Sequence, residues 1–266
     1  MPIFSRRPLL DEATTAWMFD TFAWALEQFG TDVFAQYSAL VLPTDAFFPD
    51  KIEDQGQVAE VLFERVRKHA GMEDWPCELV AQEADIDGHV HPGQLIPSPP
   101  SGPAGTYSVS GPDRAVTITY NPSLLGRPEA MIATFAHELA HYLAHSVDVL
   151  PPGGEDFEEH GTDLLAVVLG FGVFLANSAF TFEQYTDNES MGWSAQQQGY
   201  LSETQLTYAL AVFVELKMID PNTVEPYLDR NLRKFYRNCH KELGRRGEEI
   251  EKLRAIRSYK IATPAM

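Results

Sequence analysis

Residues 131–145 read MIATFAHELAHYLAH. On an α-helix, His137 and His141 stand four positions apart, one above the other on a single face, so both imidazoles can reach one ion. Glu138 projects about 100° round the helix from His137, where it can approach a metal-bound water without being a ligand. Around these three lie Ile132, Ala133, Phe135, Ala136, Leu139, Ala140, Leu143 and Ala144. A helix so apolar is buried on most sides, and three titratable groups on it are costly unless something such as a metal satisfies them.

A catalytic zinc takes three protein ligands and leaves one position for water. The third has to come from elsewhere. Seventeen residues separate His141 from Glu159, in the stretch EDFEEHGTDLLAVVLGFG, and Asp163 shares a helix face with Glu159. That face continues as Ala166 and Gly170, small enough to let this helix pack closely on the alanine-rich one before it. Glu159 is therefore the expected third ligand, with Glu155, Glu158 and His160 as local rivals. Asp163 is expected behind the ligands, accepting the outer ring N–H of a histidine, His137 first, and so fixing its tautomer. His145 continues the same four-residue row and is a candidate for lining a cleft.

With HExxH on one helix and a glutamate opening a later helix, the chain resembles the gluzincin clan of zinc peptidases, the thermolysin-like pattern. Glu159 followed four residues later by Asp163 matches that arrangement. The resemblance covers about 115–175 and looks like a minimal gluzincin. It implies one Zn²⁺ on His137, His141 and Glu159, Glu138 as general base, and a peptide or protein substrate. It also implies that AVTITY (115–120) is the edge strand that holds extended substrate through main-chain hydrogen bonds. The clan commonly steadies the oxyanion with a His or Tyr from another segment, and Tyr142, Tyr185, Tyr200 and Tyr208 are the tyrosines available in the helical half. Metzincins would require Gly and His where Ala144 and Val147 stand. The aspzincin GTxxD is approached only by Gly161-Thr162-Asp163, whose Asp comes two residues early.

Outside this stretch, helical periodicity marks 11–29 (stopped by Gly30) and 55–69, and strands are expected at 39–42, 77–81, 106–110 and 115–120. Residues 87–106 are rich in Pro and Gly and read as a long irregular segment in which His89 and His91 are solvated. Further helices are expected at 128–146, 156–178, 203–217 and 226–243, with Ser202 and Gln205 spaced as a capping box. Trp193 falls in a polar stretch that reads either as a cap over the cleft or as a plain loop. The expectation is an α+β fold: a zincin-like catalytic domain over 1–229, with its small mixed sheet in 1–125 and its helical part in 126–229, and a basic helical segment, 230–266, packed on the body.

Charge and composition narrow the function. The net charge is −18, yet residues 230–266 carry 11 Lys+Arg against 4 Asp+Glu, while residues 1–229 carry 34 Asp+Glu against 9 Lys+Arg. An acidic body repels nucleic acid and anionic lipid, and a basic tail packed on it is neutralised internally. Two cysteines, Cys77 and Cys239, suit a reducing compartment, so the expected location is cytoplasmic. The apolar run Leu164–Ala176 is shorter than the roughly 20 residues needed to cross a bilayer. The leading expectation is amide hydrolysis in a peptide. The alternatives are a non-catalytic metal-binding regulatory module and a hydrolase of a non-peptide amide or ester.

Overall fold

The computed structural model describes residues 8–52, 54–83, 103–186 and 201–256. Helix α1 (Glu12–Phe29) starts where the Asp11 side chain accepts from the Thr14 N–H, and stops at Gly30. It is followed by α2 (Thr31–Tyr37) and α3 (Val58–His69), the latter shortened at its start by a 3-10 turn over Gln55–Gln57. Residues 39–42, expected as a strand, run instead as an irregular segment whose Val41 N–H donates to the Gly170 carbonyl. Apolar composition alone does not make a strand without a partner to pair with.

Three strands follow: β1 (Glu78–Ala81), β2 (Gly105–Ser110) and β3 (Ala115–Tyr120). They form a mixed sheet in the order β1-β3-β2, with β1 parallel and β2 antiparallel to β3. AVTITY is therefore the central strand, hydrogen-bonded on both sides. The expectation that it is an edge strand is wrong, because β1 returns to it from more than thirty residues upstream, a pairing invisible locally. The sheet lies on α4 (Pro128–Ala144) through the buried Val116 and Ile118 and the edge-on contact of Tyr120 with Phe135. On the other side Phe63 of α3 meets the same Phe135. Helix α4 is consequently buried over the whole stretch Ala130–His141.

The next helical stretch is broken. A 3-10 turn over Gly154–Phe157 leads into α5 (Glu158–Ala166), a π-helical turn over Val167–Phe171, and then α6 (Gly172–Thr186). Gly170 has φ +105°, and a Cβ there would stand 1.9 Å from the Ala39 carbonyl oxygen. The atoms nearest to that Cβ belong to the 39–42 segment and not to α4, which its position on the Glu159 face predicts. Gly170 lets the 39–42 segment cross the chain, and only glycine fits that conformation and that approach. The stretch Gly154–Ala179 is long and apolar enough to cross a membrane by length and composition, but 94% of its most apolar window is buried inside the fold, as in a core helix.

Helix α7 (Glu203–Leu216) begins with the expected capping box, Ser202 with Gln205. Helices α8 (Arg230–Leu243) and α9 (Gly247–Arg254) pack on α7 through Leu232, Tyr236, Cys239, Leu243, Ile250 and Leu253. Helix α8 starts four residues later than expected because Pro226 sits in a separate 3-10 turn, Glu225–Tyr227. The basic segment meets acidic groups of the body, with Arg246 bonded to Glu12 and Arg237 to Glu225.

Candidate metal site

Helices α4 and α5 pack against each other, and their contact is the site. His137 and His141 rise from one face of α4, their rings 4.8 Å apart. From the first turn of α5, Glu159 reaches in between them. Its Oε2 lies 3.2 Å from His137 Nε2 and 3.4 Å from His141 Nε2. Donors held tetrahedrally at zinc bond lengths stand about 3.3–3.6 Å from one another. The spacing therefore suits a divalent ion bound by two nitrogens and one oxygen, and the three donor atoms all lie within 4.8 Å of each other.

The atoms facing away from this point are tied down. His137 Nδ1 and Asp163 Oδ1 are 2.9 Å apart, and the other oxygen of Asp163 accepts the Leu201 N–H at 2.7 Å. His141 Nδ1 lies 3.2 Å from the Thr162 hydroxyl. Each ring is thereby oriented with Nε2 toward the common point, and a carboxylate behind a histidine also raises its basicity as a ligand. The contact expected between Asp163 and a histidine of the row is thus made, and its partner is His137. Thr162, by contrast, has no role in the sequence reading. Its place one residue before Asp163, within GTD, is the only local signal for it.

Electrostatics follow from burial and these contacts. Burial by itself pulls the His137 imidazole down, but hydrogen bonds to Asp163 and Glu159 outweigh it and push the group up to about 10. Burial likewise raises Glu159, and its bonds to His137 and His141 reverse the sign and hold it well below the usual carboxylate range. Glu138 goes the other way. Burial, opposed by the nearby His137, pushes its carboxyl up to about 7. A carboxyl poised there is suited to take up and give back a proton near neutral pH.

Strand β2 closes the site on its other side. At Gly105, a Cβ would stand 2.6 Å from Thr134 Cγ2 and 3.0 Å from Glu138 Oε1, so glycine lets the strand begin directly against the acid. Two positions on, Tyr107 lies over the histidine row, near-parallel to His145 at 5.2 Å and to His141 at 6.2 Å between ring centroids. Sequence reasoning missed Tyr107, having looked for a tyrosine in the helical half. Strand alternation was the available signal, since it puts Gly105 and Tyr107 on the same face. Two of the tyrosines considered are otherwise engaged: Tyr142 donates to the Pro76 carbonyl and the buried Tyr208 to Glu242. Tyr185, Tyr200, His89, His91 and Trp193 lie outside the described side chains, as does most of the 87–106 segment.

The rivals of Glu159 separate cleanly. Glu158 lies on the next rung of the row, 3.5 Å from His145 Nε2 and 3.9 Å from His141 Nδ1, and not between His137 and His141. His160 turns away toward α1, its half-buried ring set edge-on to Trp17 and against Phe157. Glu155 belongs to the 3-10 turn before α5 and is exposed.

Comparison of the chain with protein-family models, curated proteins and solved structures yields no match.

Proposed function

We propose that this chain is a zinc-dependent peptidase of the gluzincin type, with a zincin-like catalytic domain. The observation that carries the reading is the convergence of His137 Nε2 and His141 Nε2 on Glu159 Oε2, at 3.2 and 3.4 Å, with the buried Glu138 next to them. Two imidazoles and a carboxylate form a donor set that suits zinc and matches catalytic rather than structural sites, which are closed by four protein ligands.

In this reading His137, His141 and Glu159 hold the ion, Asp163 and Thr162 orient the two rings, and Glu138 stays off the metal. Zinc, when bound, supplies a Lewis acid that acidifies a water and polarises the scissile carbonyl. Glu138 accepts the proton of the attacking water at its carboxylate and passes a proton to the departing amide nitrogen. Its burial matters for both transfers, since a carboxylate at its ordinary strength would be a poor base and a worse acid near pH 7. The substrate strand runs along β2 rather than β3, because β2 is the strand at the sheet's margin that lies against α4 and Glu138. A peptide in extended form would pair there with main-chain groups.

A structural or regulatory metal site has no use for a buried acid beside it, and on this point the catalytic reading is preferred over a binding module. The test pairs metal content with turnover. Purified protein should contain about one zinc per chain, as a single three-ligand catalytic site demands, and cleave a mixed peptide library. Glu138→Gln should keep the zinc and lose the cleavage. Cleavage retained in that variant would defeat the peptidase mechanism, and hydrolysis of small amides but not peptides would redirect it to a non-peptide substrate.

A further inference from the structure

The row of histidines on α4 does not end at the site just described. His145 is the C-cap residue of the helix, one turn beyond His141. Its Nδ1 lies 2.8 Å from the His141 carbonyl oxygen, an acceptor only, so Nδ1 carries the proton and donates it. Nε2 of His145 is then the atom with the free lone pair, and it faces Glu158 Oε1 at 3.5 Å. The same carboxylate oxygen lies 3.9 Å from His141 Nδ1. These three residues form a second cluster whose donor atoms fall within 4.8 Å of one another.

The repeat has a geometric origin. Three histidines at four-residue intervals face two adjacent glutamates at the start of α5, and each glutamate serves a different neighbouring pair. Glu159 sits between His137 and His141, while Glu158 sits between His141 and His145. Consecutive helical residues point about 100° apart, which directs the two carboxylates to different rungs. Tyr107, lying over both His141 and His145, holds the outer ring planes in place.

We infer that His145 and Glu158, with His141 as a shared third donor, form a second binding site for a divalent transition-metal ion. The donors are two imidazoles and one carboxylate, so the site takes Zn²⁺, Co²⁺ or Ni²⁺ and not Mg²⁺ or Ca²⁺, which prefer all-oxygen shells. It binds more weakly than the inner site for two reasons. The two carboxylates are similarly exposed, but the His145 side chain is 47% exposed against 2% for His137, so water competes for the outer ion and its histidine keeps rotamer freedom. In addition, His141 must give up its contact with Thr162 and release its ring N–H proton to solvent, because only an imidazolate has a lone pair on Nδ1 for an outer ion while Nε2 serves the inner one.

This inference does not depend on peptide hydrolysis, and its test reads metal binding alone. Full-length protein without a polyhistidine tag is stripped with chelator and titrated with Co²⁺, followed by calorimetry and by visible absorbance. The wild type should take up two ions per chain, as the two clusters require, one tight and one weaker. In His145→Ala and in Glu158→Gln the tight step should persist while the weaker one loses affinity by about 10-fold or more, the scale seen when even a residue behind a ligand is removed. His137→Ala should do the reverse, impairing the tight step and sparing the weak one. Two outcomes overturn the inference: one ion in the wild type, or a second ion indifferent to both His145→Ala and Glu158→Gln. The Glu138→Gln turnover test above is independent of either.

Discussion

Two helix contacts in this molecule bury ionisable groups, and they treat them in opposite ways. Where α4 meets α5, the atoms of His137, His141 and Asp163 that face away from the common point each have a partner, and the remaining donor atoms converge. Where α8 meets α7, Tyr236 is fully buried with no hydrogen-bond partner for its hydroxyl among the described residues, and His240 Nε2 is left in the same condition. The basic side chains of α8 and α9 pair with acids mostly at the periphery. The second contact is a packing interface that tolerates polar leftovers. The first is arranged around a point in space, and its buried charges would be a poor bargain for stability alone.

Substitutions can break or sharpen this contrast. The largest effect belongs to Glu138→Gln, which should lower peptide turnover by about 10²–10⁴-fold, the usual contribution of a positioned general acid–base. Zinc content measured alongside should not move. If the ion were lost as well, Glu138 would be a ligand or a structural group and the two contacts would differ less than argued.

Asp163→Asn comes next. An amide can still accept from one donor, but it cannot serve both the His137 ring N–H and the Leu201 N–H. Zinc affinity measured by chelator competition should fall about 10–100-fold. The direction of pH dependence is also set. Imidazole binds metal only when neutral, so affinity should drop as pH falls. Because Asp163 also makes the His137 ring hold its proton more tightly, the drop should be steeper in the wild type and the deficit of Asp163→Asn should narrow toward low pH.

At the other contact the effects should be small. Arg237→Ala removes a pair with Glu225 in which the arginine side chain is 52% exposed, so thermal unfolding should report a loss under about 1 kcal/mol, shrinking with added salt. Tyr236→Phe should cost nothing or stabilise slightly, because it deletes a buried hydroxyl that has no partner to lose. A loss of about 1 kcal/mol or more would mean that the hydroxyl is satisfied after all, since a made hydrogen bond contributes about 0.5–1.5 kcal/mol.

Much of the site was legible because it is local. His137, Glu138 and His141 need only a helix to be brought together, and the apolar residues around them already announced its burial. Glu159 and Asp163 could be anticipated from their shared helix face, although Glu158 stood one residue away and turned out to face the neighbouring rung of the histidine row. The errors share a different cause. AVTITY was expected at the sheet's edge only because the gluzincin pattern puts a strand there, yet it has a neighbour on each side, because β1 joins it from far upstream. Gly170 lies on the correct face for close packing on α4 but is needed by the 39–42 segment. Tyr107 was missed because its strand neighbourhood shows only that it shares a face with Gly105, not that this face lies over the histidines.

By itself the sequence determined the helix, its burial and the order of donors along it. These depend on backbone periodicity and on the cost of placing polar groups among apolar ones, both of which act within a few turns. The fold alone decided which carboxylate meets which imidazole, which strand flanks Glu138, and where a tyrosine lies over the histidines. Those are contacts between segments distant in the chain, and they follow from how whole elements pack together.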